Sequence, residues 1–204
     1  MDRCIFEEKF KFVSSKVNNT KKLAIYRHSF KTLNDSDKTV KLVIAMEELS
    51  ELQQELIDAM VGNLNRMGLL EEIADVTLVL DWIKMLCNLE DEEILDDISC
   101  RSGKFSNYKG ITVLTIVKNL AELQQEISKV IREKGRRMAL IFRIADVSLS
   151  LDWLKTKSEF TDEEINKALN VKIDRLYDKI FPQSEDDHLN EISEANGFGL
   201  YNDD

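Results

Sequence analysis

An internal repeat constrains the fold of this chain more than any other feature. When each residue is aligned with the residue 71 positions later, the two copies match without a gap, and nearly half of the positions over 47–94 and 118–165 are identical. Three runs recur unchanged: Glu51–Glu55 at 122–126, Ile73–Val76 at 144–147 and Asp91–Ile94 at 162–165. The sequence therefore predicts a tandem duplication.

The pattern of apolar residues predicts an all-α protein. The chain has one proline and seven glycines, and its apolar residues recur at helical spacing. Each copy is predicted to form two long helices and a shorter one: 38–62, 66–88 and 91–101, then 109–133, 137–158 and 162–180. Asp91 and Thr161 are the predicted N-caps of the shorter helices. Packed together, the two hairpins would make a four-helix-bundle core, a pseudo-dimer within one chain that leaves further homo-oligomerisation open.

These helices suggest four segments along the chain. Residues 1–36 form a helical extension that is interrupted near Asn18, 37–105 are the first repeat, 106–181 are the second repeat, and 182–204 are an acidic, loosely ordered tail.

Composition restricts the function. A formal net charge of −10 argues against nucleic acid as a partner, since that binding requires clustered Lys and Arg. We find no apolar run long enough to cross a membrane and no signal peptide. Three scattered cysteines indicate reduced thiols, so we predict a cytoplasmic protein.

Acidic residues line the predicted core of the first repeat. Glu48, Glu51 and Glu55 form a stripe beside the apolar one, and Glu72 and Asp75 do the same on the following helix. The flanking core positions are predicted to be Leu49, Leu52, Leu56 and Met60 on the first helix, and Ile73, Val76, Leu80 and Ile83 on the second. If the two helices pack antiparallel, the carboxylates face each other across the seam.

Converging carboxylates repel each other unless cations lie between them. Oxygen ligands without His or Cys favour Mg²⁺, with Mn²⁺ as the alternative, and Mg²⁺ usually completes its shell with phosphates. This pattern indicates a small phosphorylated substrate. The same Glu pairs are also common on an ordinary solvated helix face, and periodicity alone does not separate these two interpretations.

The spacing of these acidic residues resembles a known signature. Glu47-Glu48-x-x-Glu51, followed after twenty residues by Glu72-x-x-Asp75, is similar to the motif of the all-α NTP pyrophosphatase superfamily, which includes MazG-like proteins and dimeric dUTPases. The resemblance implies Mg²⁺-dependent hydrolysis of a nucleoside triphosphate to the monophosphate and pyrophosphate. It also implies metal ligation by Glu48, Glu51, Glu72 and Asp75, with Glu51 or Glu55 orienting the attacking water.

The second repeat departs from this signature. Lys118, Asn119 and Arg143 stand where the first repeat has three glutamates, while Glu122 and Asp146 remain. We predict that Arg143 takes the vacant metal position and pairs with both carboxylates.

The sequence offers five candidates for substrate binding. In proteins of the family that the chain resembles, basic residues after the second motif often reach the phosphates, which makes Arg101, Lys104, Lys172 and Arg175 candidates; ordinary solvated positions fit them equally. Trp82 continues the Glu72 stripe and is a candidate for stacking on a base, although an aromatic residue at this spacing is more often part of the core.

Two other functions remain possible from the sequence. One is a regulatory module that binds a nucleotide without turnover, and the other is a purely structural helical protein. Retention of all four carboxylates in the first repeat alone favours an enzyme over both.

Overall fold

The computed structural model describes residues 19–31, 35–102 and 112–182. These residues form seven helices: α1 (Asn19–Lys31), α2 (Asp35–Met60), α3 (Arg66–Leu86), α4 (Asp91–Ser102), α5 (Val113–Ile131), α6 (Arg137–Lys157) and α7 (Asp162–Ile180). The described parts of the chain contain no strand, so the all-α prediction is confirmed. The predicted extension before residue 19 and the predicted tail from residue 183 lie outside the described residues.

The long helices end close to the predicted boundaries, for a local reason. Helix α2 stops at Met60 rather than at residue 62, because Gly62 takes the left-handed backbone conformation with φ 92°. The equivalent residue after α5 is Glu133, which has φ 57°. The two turns therefore reverse the chain at matching positions, although only the first uses glycine.

One of the two predicted N-caps is confirmed. Thr161 caps α7, since its side chain accepts from the backbone N–H of Glu164 and the Glu164 carboxylate accepts from Thr161. The prediction for Asp91 is wrong, because Asp91 is the first residue of α4 rather than its cap. There, the backbone N–H of Glu90 donates to the Glu93 carboxylate over 3.0 Å, which is half of the same capping arrangement.

Apolar side chains of α2, α3, α5 and α6 form the largest part of the core. The predicted core residues of the first repeat are buried, with one exception. Met60 is 55% exposed, and it is the last residue of α2. Burial of one leucine side chain contributes about 2 kcal/mol, so these stripes hold the helices together.

Contacts join these four helices in a ring. Helix α2 packs on α3 and α5, and α6 packs on α5 and α3. The shorter helices cross between the copies: α7 packs on α3, and α4 packs on α6. Helix α1 packs on α7. The second copy therefore covers the helix that carries Glu72 and Asp75.

Residues 71 positions apart make matching contacts between the copies. Arg66 Nη1 lies 2.8 Å from Glu164 Oε1, and the equivalent Arg137 bonds the equivalent Glu93. Gln53 Nε2 donates to the backbone carbonyl of Val117. In the same way, Gln124 Nε2 donates to the carbonyl of Met46, the residue equivalent to Val117. The contacts between the two copies are therefore reciprocal at these positions.

A candidate carboxylate cluster

Three glutamates of the first repeat converge on one point. Glu48 and Glu51 lie one turn apart on α2, and Glu72 lies on the adjacent α3. Each offers a carboxylate oxygen, and these oxygens all lie within 4.8 Å of one another. We call these three residues the acidic cluster. The antiparallel hairpin brings together three of the four ligands that the resemblance implies.

The cluster lies at the edge of the core. Glu48 and Glu72 are half-buried beside buried Leu49 and Ile73, whereas Glu51 is exposed. Burial raises the pKa of Glu48 to about 7, and the nearby charges of Asp75 and Glu51 add to this effect. Burial raises the pKa of Glu72 to about 7 as well, with Asp75 and Glu51 contributing in the same direction. The arrangement therefore holds negative charge at a free-energy cost that a bound cation would offset.

One oxygen atom of the acidic cluster lacks a hydrogen-bond partner. Oε2 of Glu72 is buried and has no hydrogen-bond partner. A buried carboxylate oxygen without a partner is unfavourable unless it is protonated or bound to a cation. Carboxylate oxygens are hard ligands, so the donor set fits Mg²⁺ or Mn²⁺ better than zinc.

Asp75, the fourth expected ligand, lies outside the acidic cluster in this structure. Its Oδ2 atom accepts from Nζ of Lys172 on α7 over a distance of 2.5 Å. Burial raises the pKa of Asp75, although the Lys172 ammonium opposes that rise. The side chains of Asp75 and Lys172 are 16% and 20% exposed, so the ion pair is poorly hydrated. The Lys172 ammonium group of the second repeat thus neutralises the Asp75 carboxylate of the first repeat.

Glu55, the second candidate for orienting water, lies one turn beyond Glu51 on α2. It is half-buried and is not among the three clustered carboxylates. Its Oε1 atom lies close to Gly68 at the start of α3, where a Cβ atom would come within 2.9 Å of it. The absence of a side chain at Gly68 therefore makes room for the Glu55 carboxylate.

The predicted substrate-binding residues divide into three groups. Lys172 and Arg175 both lie on α7 near Asp75, and both lower its pKa. The side chain of Arg101 and the whole of Lys104 lie outside the described residues. Trp82 is half-buried and packs against the core, with its indole Nε1 buried and unpartnered.

The corresponding place in the second repeat holds an arginine instead of a carboxylate. Arg143 Nη1 lies 2.6 Å from Glu122 Oε2 and 3.1 Å from Asp146 Oδ2. The predicted pairing of Arg143 with both carboxylates is therefore confirmed. Asn119, which replaces Glu48, donates to the hydroxyl of the buried Ser150 over 3.0 Å. This site is neutralised by protein groups alone.

The sequence did not reveal an ionic network of poorly exposed side chains around Asp81 on α3. Asp81 Oδ2 lies 2.5 Å from Lys22 Nζ, and Asp81 Oδ1 lies 2.6 Å from Lys84 Nζ, which also contacts Asp91 at 2.8 Å. Burial alone would raise the pKa of Asp81, but the two ammonium groups outweigh it and lower that pKa. The side chain of Asp81 is 16% exposed and that of the equivalent Asp152 is 62% exposed, so identity between the copies could not indicate this difference.

Comparisons with protein-family models, with curated proteins and with solved structures found no match. Among the described helices, none has the length and apolar character needed to cross a membrane.

Proposed function

We propose that this protein is a Mg²⁺-dependent nucleoside triphosphate pyrophosphohydrolase of the all-α kind that its sequence resembles. The observation that carries this proposal is the acidic cluster, in which Glu48, Glu51 and Glu72 meet within 4.8 Å and one Glu72 oxygen is buried without a partner. Loss of the equivalent set from the second repeat, where Arg143 stands in for a carboxylate, supports a single site per chain.

The residues of the first repeat would divide the chemistry between them. Glu48, Glu51 and Glu72 would hold the cation, which when bound neutralises phosphate charge and acidifies a water molecule. A carboxylate at the solvent side, Glu51 or Glu55, would orient that water and accept its proton. The water oxygen would bond to phosphorus as the bond between the α- and β-phosphate groups breaks, which releases pyrophosphate and the monophosphate.

The second repeat would supply the positive charge that a triphosphate requires. Lys172 and Arg175 approach the first repeat's site from α7, near Asp75. Ammonium and guanidinium groups bind phosphate oxygens by charge-assisted hydrogen bonds. A local basic pair of this kind is compatible with the overall charge of −10.

One observation favours a second candidate, a regulatory module that binds a nucleotide without turnover. The Lys172–Asp75 ion pair leaves only three carboxylates together, and an Asp75 held in this way contributes no ligand. Such a module would bind a nucleotide and a cation and yield no product.

The test is product analysis on a panel of common and modified NTPs and dNTPs with Mg²⁺. We expect a monophosphate and pyrophosphate from at least one nucleotide, with Glu48→Gln and Glu72→Gln lowering the rate at least about a hundredfold, because each removes a metal ligand. Glu47→Gln, which makes the same charge change at an exposed neighbour on α2, is the matched control and should retain activity.

Two results would count against the enzyme. Tight nucleotide binding without product would favour the regulatory module. Turnover that is equal in wild type, Glu48→Gln and Glu72→Gln would mean that the chemistry takes place elsewhere in the chain.

A further inference from the structure

A groove beside the acidic cluster has no role in the proposed chemistry so far. It lies between α3 and α7 and has a volume of about 310 Å³. We call it the α3–α7 groove. Its apolar lining residues, which we call its floor, are Met67, Leu70, Ala168 and Val171. Met67 and Val171 are 59% and 41% exposed, so the groove presents apolar surface to solvent.

Its charged lining residues, which we call its rim, are mostly cationic: Lys167, Lys172 and Arg175 against Glu71 and Glu164. Glu164 is paired with Arg66, whose Nη1 atom lies 2.8 Å from its Oε1 atom, and Lys172 is paired with Asp75. The remaining Lys167 and Arg175 outnumber Glu71, so the rim carries a small net positive charge beside the floor.

Lys172 connects the groove with the candidate site. It lines the groove, and its Nζ atom contacts Asp75 at 2.5 Å. The same ammonium group opposes the rise that burial causes in the pKa of Glu48 and Glu72, so it lies near the acidic cluster as well. A phosphate group beside Lys172 would therefore be close to both the groove and the carboxylates.

The residues equivalent to those of the groove include two carboxylates that the groove itself lacks. The residues equivalent to Lys167 and Ala168 are Asp96 and Asp97, on α4, whereas those equivalent to Lys172 and Arg175 are Arg101 and Lys104, which are also basic. Two additional carboxylates would repel a phosphate group. This set of residues therefore suits a nucleotide less well than the α3–α7 groove does.

We propose that the α3–α7 groove binds the nucleoside part of the nucleotide substrate, and this inference rests on the proposed function. In a nucleoside triphosphate, a flat base with apolar faces is joined through its sugar to a polyanion, which matches an apolar floor next to Lys172 and Arg175. The groove volume lies at the lower end of the range for small-molecule sites, which suits a base and sugar. The phosphates would then extend past Lys172 toward Glu72.

The test uses substitutions that fill the groove, and it measures ligand binding rather than turnover. Ala168→Leu adds bulk to the floor, and Ala168→Ser at the same position leaves the space open and serves as its control. The probes are α,β-methylene analogues of the common nucleoside triphosphates, with inorganic tripolyphosphate as a ligand that lacks base and sugar, all titrated by calorimetry with Mg²⁺. Val171→Trp, at an exposed position of the same groove, is the second variant if Ala168→Leu does not fold.

We expect Ala168→Leu to weaken nucleotide binding about tenfold or more, since overpacking the groove excludes the base, while tripolyphosphate binds as in wild type. Equal nucleotide binding by wild type and both filled variants would overturn this inference alone and leave the proposed function intact. Equal weakening of nucleotide and tripolyphosphate would also overturn it, because the groove would then not distinguish the nucleoside. If wild type bound tripolyphosphate but no nucleotide, both the inference and the proposed function would fall.

Discussion

Lys172 Nζ on α7 lies 2.5 Å from Asp75 Oδ2 on α3, and this ion pair joins the two repeats at the candidate site. The ammonium group is paired with the Asp75 carboxylate, which a metal ion bound to the acidic cluster would otherwise use as a ligand. In the second repeat, Arg143 does the same for Asp146 from within its own helix. The equivalent aspartates of both repeats are thus paired with basic side chains of the second repeat, but only the first repeat keeps three more carboxylates together.

Removing this ammonium group should tighten the binding of a divalent cation by itself. In Lys172→Met, Asp75 is free to contribute a ligand and a nearby positive charge is gone, so we expect Mn²⁺ to bind roughly five- to tenfold more tightly. Arg175→Gln removes the same charge without breaking a bond to Asp75, and it should change the affinity about twofold. Calorimetry without nucleotide measures both. A loss of Mn²⁺ affinity in Lys172→Met would mean that the lysine supports the metal site instead of competing with it.

The raised pKa values of Glu48 and Glu72 predict how stability changes with pH. Both pKa values rise from 4.5 to about 7 in the folded protein, so folding is favoured while these groups stay protonated, and that stability is lost as pH rises through 7. Without metal, we expect the Tm to fall by roughly 3 °C between pH 6 and pH 8, a modest change because both groups are partly hydrated.

Scanning calorimetry in a chelator checks this fall. The double variant Glu48→Gln, Glu72→Gln cannot titrate at these positions and should lack this part of the pH dependence. Added Mg²⁺ should raise the Tm of wild type more at pH 8 than at pH 6, because protons compete with the cation. A Mg²⁺ effect that does not vary with pH would contradict the assignment of these two carboxylates.

The arginine of the second repeat should be structural. Arg143→Ala removes the guanidinium group that bonds both Glu122 and Asp146, and we expect a loss of about 1–2 kcal/mol in the free energy of unfolding. Lys118→Met is the matched control, since Lys118 is exposed and lies 3.7 Å from the same Glu122. Urea unfolding should show a change below about 0.5 kcal/mol for the control. Equal effects of the two substitutions would argue against a special role for Arg143.

The buried network around Asp81 should contribute more to stability than its exposed counterpart. Asp81→Asn leaves Lys22 and Lys84 without their shared carboxylate, and we expect a loss of about 3 kcal/mol. The same change at the equivalent Asp152, whose side chain is 62% exposed, should cost less than about 0.5 kcal/mol. Chemical denaturation of the pair gives a direct comparison. Similar losses would show that burial does not separate these two aspartates.

The helices were predictable because their signals are local. The apolar stripe through Leu49 and Leu52, and the threonine at position 161 before a run of acidic residues, each depend on a few neighbouring residues. Met60 was misplaced for the same reason, since its spacing fits the stripe but the helix ends at that residue. Periodicity does not indicate where the packing partner ends.

Side-chain pairing across the repeats was only partly predictable. Arg143 could be paired with Glu122 and Asp146 because all three positions align with one site in the first repeat. The bond from Lys172 to Asp75 depends on α7 packing on α3, and the ion pair of Asp81 depends on Lys22 of α1. The spacing of residues along the sequence indicates neither contact, since both join segments that are far apart in the chain.

The most direct test of the central claim is the location of bound Mn²⁺, a substitute for Mg²⁺ that can be found by anomalous scattering from crystals. We expect an anomalous peak bound by Glu48, Glu51 and Glu72 of the first repeat, and no peak at Arg143 of the second. The acidic cluster would be contradicted as a metal site if saturating Mn²⁺ gave no peak among those three glutamates, or gave its main peak elsewhere in the chain.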